Sequence, residues 1–183
     1  MSYSQAEKLQ ILMLCDIYRA LDIEDGFNPD VVEQAVSTDN YWALSWEYPS
    51  LSDQDDTPES VKLFVDTVDM FDLLDYTYKN LPDEHKQEVA EKVEFFSPES
   101  SFVFPGFDGN NEIEYLTIGS LLKTMDRFSG KDLTKNSHRP CVDMYRRMLE
   151  VFLPARRNFK HGEGIPKDDL INTLLAKTHP SNR

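Results

Sequence analysis

The sequence predicts an all-α protein, a single multihelical domain of about seven or eight helices over residues 1–183 with a mobile tail over about 177–183. Three observations carry this expectation. Seven glycines and ten prolines punctuate the chain, and the segments between them place apolar residues at helical spacing. No segment sustains the apolar–polar alternation of a half-buried strand. Hydrophobic residues make up 40% of the chain, enough for a packed core in one domain rather than disorder.

The elements follow in chain order. Ser4, with Glu7 three residues on, reads as a capping box that opens the first helix. Leu9, Met13, Ile17 and Ala20 form one face of that helix, and Ile11, Leu14 and Leu21 widen it. Asn28 followed by Pro29 starts a second helix, with Asn as the cap and Pro in the first turn. Tyr41, Trp42, Leu44, Trp46 and Tyr48 make an aromatic cluster that reads as core. Because aromatics also anchor interfaces, Tyr41, Trp42, Trp46 and Tyr48 double as a candidate interface. Leu51 to Thr57 is polar and acidic, a loop.

Thr57-Pro58-Glu59 then opens a long helix whose stripe is Val61, Phe64, Val65, Val68, Phe71, Leu74 and Tyr78. The opposite side carries Asp66, Asp69, Asp72 and Asp75. Steps of three drift around the helix axis and no His or Cys joins the row, so it reads as a solvated face rather than a metal site. Leu81-Pro82-Asp83 turns the chain into another helix with Val89, Val93 and Phe96 inward. The helix after Ile113 has apolar positions on more than one side, which predicts the most buried helix, and Gly119 suggests a close helix–helix contact. A basic loop spans Lys131 to Arg139. Another helix follows with Cys141, Tyr145, Met148, Leu149 and Phe152 inward, and Pro154 kinks or terminates it. Pro166 opens a last short helix.

Composition narrows the function classes. The net charge is −14, with the acidity concentrated in the first hundred residues. That balance argues against general duplex binding, since nucleic acid is not an expected partner of an acidic surface. Cys15 and Cys141 lie in apolar helical patterns and read as free buried thiols of a reducing compartment. The N-terminus lacks a basic leader, and no apolar run approaches membrane-spanning length. The expectation is a cytoplasmic protein with no membrane association, no cofactor and no metal.

The stretch Phe104-Pro105-Gly106-Phe107-Asp108-Gly109-Asn110-Asn111-Glu112 concentrates carboxylates and carboxamides. An EF-hand starting at Asp108 would need Gly at its sixth position and Glu at its twelfth; the chain has Ile113 and Gly119. A phosphate loop would need more glycines and a following lysine. What remains is a helix start: Asp108 or Asn110 as cap, Glu112 and Glu114 complementing the dipole, and Phe107 as a hydrophobic staple. That stretch, together with Asn136-Ser137-His138-Arg139-Pro140 and Tyr145-Arg146-Arg147-Met148-Leu149, resembles the YfbU family of bacterial proteins. The resemblance implies an all-helical protein without an assigned activity. It also implies that Gly106, Phe107, Asp108, Asn110, Asn111 and Glu112 form the family's signature surface or cap.

Two function classes remain. The first is a non-enzymatic interaction or regulatory module, a homo-oligomer, most simply a two-fold dimer, with a protein partner in play. In it the acidic first half and basic second half meet across a subunit interface. No catalytic triad, metal-ligand spacing or nucleotide fingerprint stands against this reading. The alternative is a metal-independent ribonuclease. Arg156-Arg157-Asn158-Phe159-Lys160-His161 is similar to the arginine–histidine motif of HEPN-type helical domains, with His161 as general acid or base and Arg156 on the scissile phosphate. The other histidines, His85, His138 and His179, read as structural or peripheral.

Overall fold

A computed structural model describes residues 3–51 and 57–179. Among these residues there are eight α-helices and no β-strand: α1 (Gln5–Ala20), α2 (Pro29–Ser37), α3 (Trp42–Glu47), α4 (Glu59–Asn80), α5 (Asp83–Lys92), α6 (Ile113–Thr124), α7 (Val142–Arg156) and α8 (Lys167–Leu175). The all-α class is the expected one. Most of the loop expected from Leu51 to Thr57, and the last four residues of the tail, lie outside the described residues. Within the tail, the Lys177 amide still donates to the Leu174 carbonyl at 3.2 Å.

The helices sort into two compact units, each built from two chain segments: Met1–Val61 with Ile113–Lys135, and Lys62–Glu112 with Asn136–Arg183. In the first unit, the predicted capping box is present, with Ser4 and Glu7 exchanging bonds. Asn28 caps α2 by accepting from the amides of Asp30 and Val31. The second helix sends Val31, Ala35 and Val36 inward. Its Gln34 ties it to α6, donating to the Ser120 hydroxyl at 2.7 Å and accepting from Thr124 at 2.8 Å.

The aromatic cluster folds as a short helix, α3, with its polar atoms satisfied inside the unit. The indole N–H of Trp42 donates to Asn40 and that of Trp46 to Thr57, both at 2.9 Å. The Tyr48 hydroxyl accepts from the Asn28 amide at 2.6 Å. Tyr41 donates to Asp39. Trp42 is buried, and Tyr41, Trp46 and Tyr48 are half-buried.

The first helix departs from expectation. Its apolar stripe does not line the core: Leu9, Met13, Leu14, Ile17 and Leu21 are each 51–66% exposed, and only Cys15 is buried. An amphipathic period shows that a helix has an apolar side; it does not show what covers that side.

In the second unit α4 is the most buried element. Phe64, Val68, Met70, Phe71 and Leu74 are all inaccessible or nearly so. This corrects the expectation that the helix after Ile113 is the most buried, since Ile113 itself is exposed while Tyr115, Ile118, Leu121 and Leu122 lie inward. Likewise Val93 and Phe96 are only half-buried, leaving Val89 as the inward residue of α5. The fold also tolerates Pro154 inside the final turn of α7, which runs on to Arg156. A missing amide so near a helix end removes only one of the last bonds.

Charge pairs stitch this unit. Glu88 on α5 accepts from Lys167 at the start of α8 and from Lys92, at 2.7 Å in the latter case. These bonds, Lys167 first, lower the Glu88 carboxyl from its ordinary 4.5 to about 2. A depressed folded-state value means the stabilisation is present above the unfolded value and is lost as pH falls through the folded one. We therefore expect Glu88→Gln to be less stable than the natural chain at pH 7. The difference in denaturant midpoint should shrink as pH drops from about 4.5 towards 2. A gap that stays constant over that range contradicts the pairing.

Candidate functional site

The three segments that carry the family resemblance come together in the second unit. Asn136 lies in a parallel bridge with Phe107, and the Ser137 amide donates to the Phe107 carbonyl at 3.0 Å. The side-chain oxygen of Asn136 accepts from Gly109 at 3.1 Å and from His138 at 2.8 Å. His138 adopts a φ of +56°, an uncommon conformation for a non-glycine residue, and this bond helps hold it there.

Glu112 makes the decisive contacts. One of its carboxylate oxygens accepts from the amides of Cys141 and Val142, at 2.7 and 2.8 Å. The other accepts from the Asp108 amide at 3.0 Å. Cys141, at the cap position of α7, makes no side-chain capping bond; its thiol donates to the Arg139 carbonyl at 3.2 Å. Glu112 therefore replaces the missing cap of α7 from 30 residues away in sequence. Its charge is almost fully buried, and three amide donors plus the positive end of the helix dipole offset the desolvation.

This revises the helix-start reading of the loop. Asp108 does not cap the first turn of α6. Its carboxylate accepts from the Asn111 side chain and the Asn110 amide, closing a tight turn before the helix. Those two bonds, the Asn111 side chain first, hold its carboxyl below the usual range, with help from His138 and against the effect of burial. Phe107 packs deeper than the helix start alone requires. It is fully buried, stacked on Phe64 at 5.3 Å and edge-on to Tyr145 at 5.1 Å. Tyr145 in turn donates to the Gly106 carbonyl at 2.6 Å. Gly106 has a φ of +87°, a conformation that favours glycine and lets the chain turn into this aromatic cluster. Of the signature residues, only Asn110 and Asn111 are solvent-exposed. Among the described residues no three His, Cys, Asp or Glu side chains gather as a metal site.

The residues of the ribonuclease reading sit elsewhere in the same unit. Arg156 is held by the two aspartates of α4, bonding to Asp66 and Asp69 at 3.1 Å each. The row from Asp66 to Asp75 is thus half-buried, not a solvated face. Burial raises the Asp69 carboxyl, and Arg156 pulls it back down. The loop bearing His161 is fastened further along α4. The Gly162 amide donates to the Tyr76 hydroxyl at 2.8 Å and the Ile165 amide to Thr77 at 3.1 Å. A side chain at Gly164 would strike the Thr77 backbone at 2.7 Å, so the loop needs glycine there. Asp69 and Tyr76 are seven residues apart, roughly 10 Å along the helix axis. The anchors of Arg156 and His161 are therefore two turns apart, and the arginine already faces two carboxylates. The contact also joins the acidic first half of the sequence to its basic second half within one unit, where the sequence suggested a subunit boundary.

With this geometry in view, the class is clear: an all-helical protein of the YfbU domain family, whose family model matches residues 1–164. The chain belongs to that family. It is also similar to the UPF0304 protein MJECS11 of Methanocaldococcus jannaschii, at 33% identity over 129 residues, covering 67% of this chain and 71% of the relative. That relative is archaeal, so a bacterial origin does not follow from the family. No solved structure matches the chain.

Removing the Glu112 carboxylate should damage the fold. Glu112→Ala leaves the α7 amides without an acceptor, a loss of about 1.5–3 kcal/mol for bonds to a charged group. In a chain of this size that lowers the melting temperature by about 3–12 °C. Differential scanning calorimetry on the natural and substituted chains reads this directly; an unchanged melting temperature contradicts the surrogate cap.

Proposed function

We infer that this chain is a non-enzymatic, cytoplasmic interaction module that works as a homodimer, with two copies packed through α1. One observation carries the reading: a helix face of large apolar side chains, half to two-thirds exposed, without a charged residue on it. The charges of α1 are engaged inside the chain. Lys8 pairs with Asp39 at 2.6 Å, Arg19 pairs with Asp30 at 2.6 Å and with Glu33, and Glu7 serves the capping box. Past the helix, Ile23 and Phe27 join Leu14, Ile17 and Tyr18 around an apolar groove of about 320 Å³. Exposed patches of this kind mark interaction sites more often than bare surface.

A second copy suits this face. Chains of net charge −14 repel one another, and an uncharged stripe is where that repulsion is least. The stripe is symmetric about Met13. In an antiparallel pair Leu9 of one copy meets Ile17 of the other, and Met13 meets Met13. That arrangement opposes the two helix dipoles and is the symmetric, self-complementary contact of a two-fold pair. One helix per copy is a small interface, of the size class of transient contacts. The free thiols Cys15 and Cys141 are both buried, in keeping with a reducing compartment. Arg156, neutralised by two aspartates, is poorly placed to bind phosphate, which weighs against the ribonuclease alternative.

Sedimentation velocity at tens of micromolar and moderate salt should give twice the 21.2 kDa chain mass. Oxidation of Met13→Cys should yield a disulfide-linked dimer. Leu9→Cys should link only when mixed with Ile17→Cys, because a disulfide needs Cα atoms within about 7 Å. A monomer mass removes the dimer altogether. A dimer that Met13→Cys does not link forms through another face, and a different protein captured by α1 would likewise replace the second copy.

A further inference from the structure

A cavity of about 620 Å³ opens in the second unit at the C-terminal end of α8. Val93, Leu174 and Leu175 form its apolar wall, and Phe95, 93% exposed, extends that wall at the rim. Its cations are Lys92, Arg139 and Lys177. Lys92 is answered by Glu88 at 2.7 Å. Arg139 and Lys177 are not: neither makes an ion pair with a carboxylate among the described residues, although Glu94 lines the same cavity. A third cation stands behind them. Arg147 spends its terminal nitrogens on the carbonyls of Asp143 and Lys177, and its Nε is buried without an acceptor among the described residues.

This is unusual in a chain with 33 acidic side chains and 19 basic ones. Two positive charges line one recess, Arg139 exposed and Lys177 partly withdrawn from water. Burial, then the charge of Arg139, pushes the Lys177 ammonium value down. Glu94 in the lining brings one negative charge and the carbonyl end of α8 about half of another, which still leaves the recess positive. Apolar walls with a few converging polar groups are the ordinary make-up of a small-molecule site, and the volume falls in that range.

We propose that this cavity binds an organic anion with an apolar body, such as a medium-chain carboxylate. Arg139 and Lys177 hold the anionic head, and Val93, Leu174 and Leu175 take the chain. The placement gives Arg139, from the stretch Asn136-Ser137-His138-Arg139-Pro140, a task separate from the joint around Glu112. It is independent of the α1 dimer.

The test is isothermal titration of the full chain with octanoate. Saturable binding at one per chain is expected, with octan-1-ol and inorganic phosphate each at least roughly tenfold weaker, since either lacks half of the recognition. Arg139→Gln and Lys177→Gln should each weaken octanoate roughly tenfold or more, and Lys123→Gln, an exposed cation on α6, should not. Circular dichroism of each variant confirms that the helices persist. No saturable binding overturns the proposal. So does octanoate binding that survives both cavity substitutions, or that falls equally with Lys123→Gln.

Discussion

The second unit hangs on one buried carboxylate. A helix that begins without a capping side chain leaves amides pointing into the protein, and their desolvation would count against α7 as a whole. Glu112 answers two of them and, with its other oxygen, fixes the loop from which it comes. Once that joint is made, Phe107 is held in the aromatic cluster with Phe64 and Tyr145, and Tyr145 secures the loop again through Gly106. The residues most readily recognised as the family's signature are thus a joint between chain segments, and what they hold in place is α7.

The placement of charge follows the same economy. Several basic side chains of the second half are committed to acids within their own unit, among them Arg156 to Asp66 and Asp69 and Lys167 to Glu88. Pairs as exposed as these contribute little stability one by one, yet they decide which surfaces are left charged. Two surfaces stand out against that background: the uncharged stripe of α1 and the recess lined by Arg139 and Lys177. The proposed function and the proposed ligand each rest on what the rest of the molecule leaves uncompensated.

The sequence shows the helices well because their signals are local. Ser4 and Glu7, or Asn28 and Pro29, declare a helix start within four residues, and each does so in the structure. The stripe of α4 is equally plain. The roles of Glu112 and Arg156 are not local. Glu112 serves amides 29 and 30 residues away, and Arg156 meets aspartates 90 and 87 residues earlier, so neither partner is visible in spacing along the chain. A capping carboxylate beside α6 and one beside α7 read alike in sequence. The face of α1 fails for a different reason. Its period is correct, but periodicity does not distinguish an apolar side turned to the core from one turned to solvent.

Amide hydrogen exchange at Cys141 and Val142 tests the central claim most directly. If the Glu112 carboxylate holds the start of α7, these two amides exchange only with global unfolding, as slowly as those in the middle of α4. Exchange at the rate of a frayed helix end, under conditions where α4 remains protected, would contradict the account.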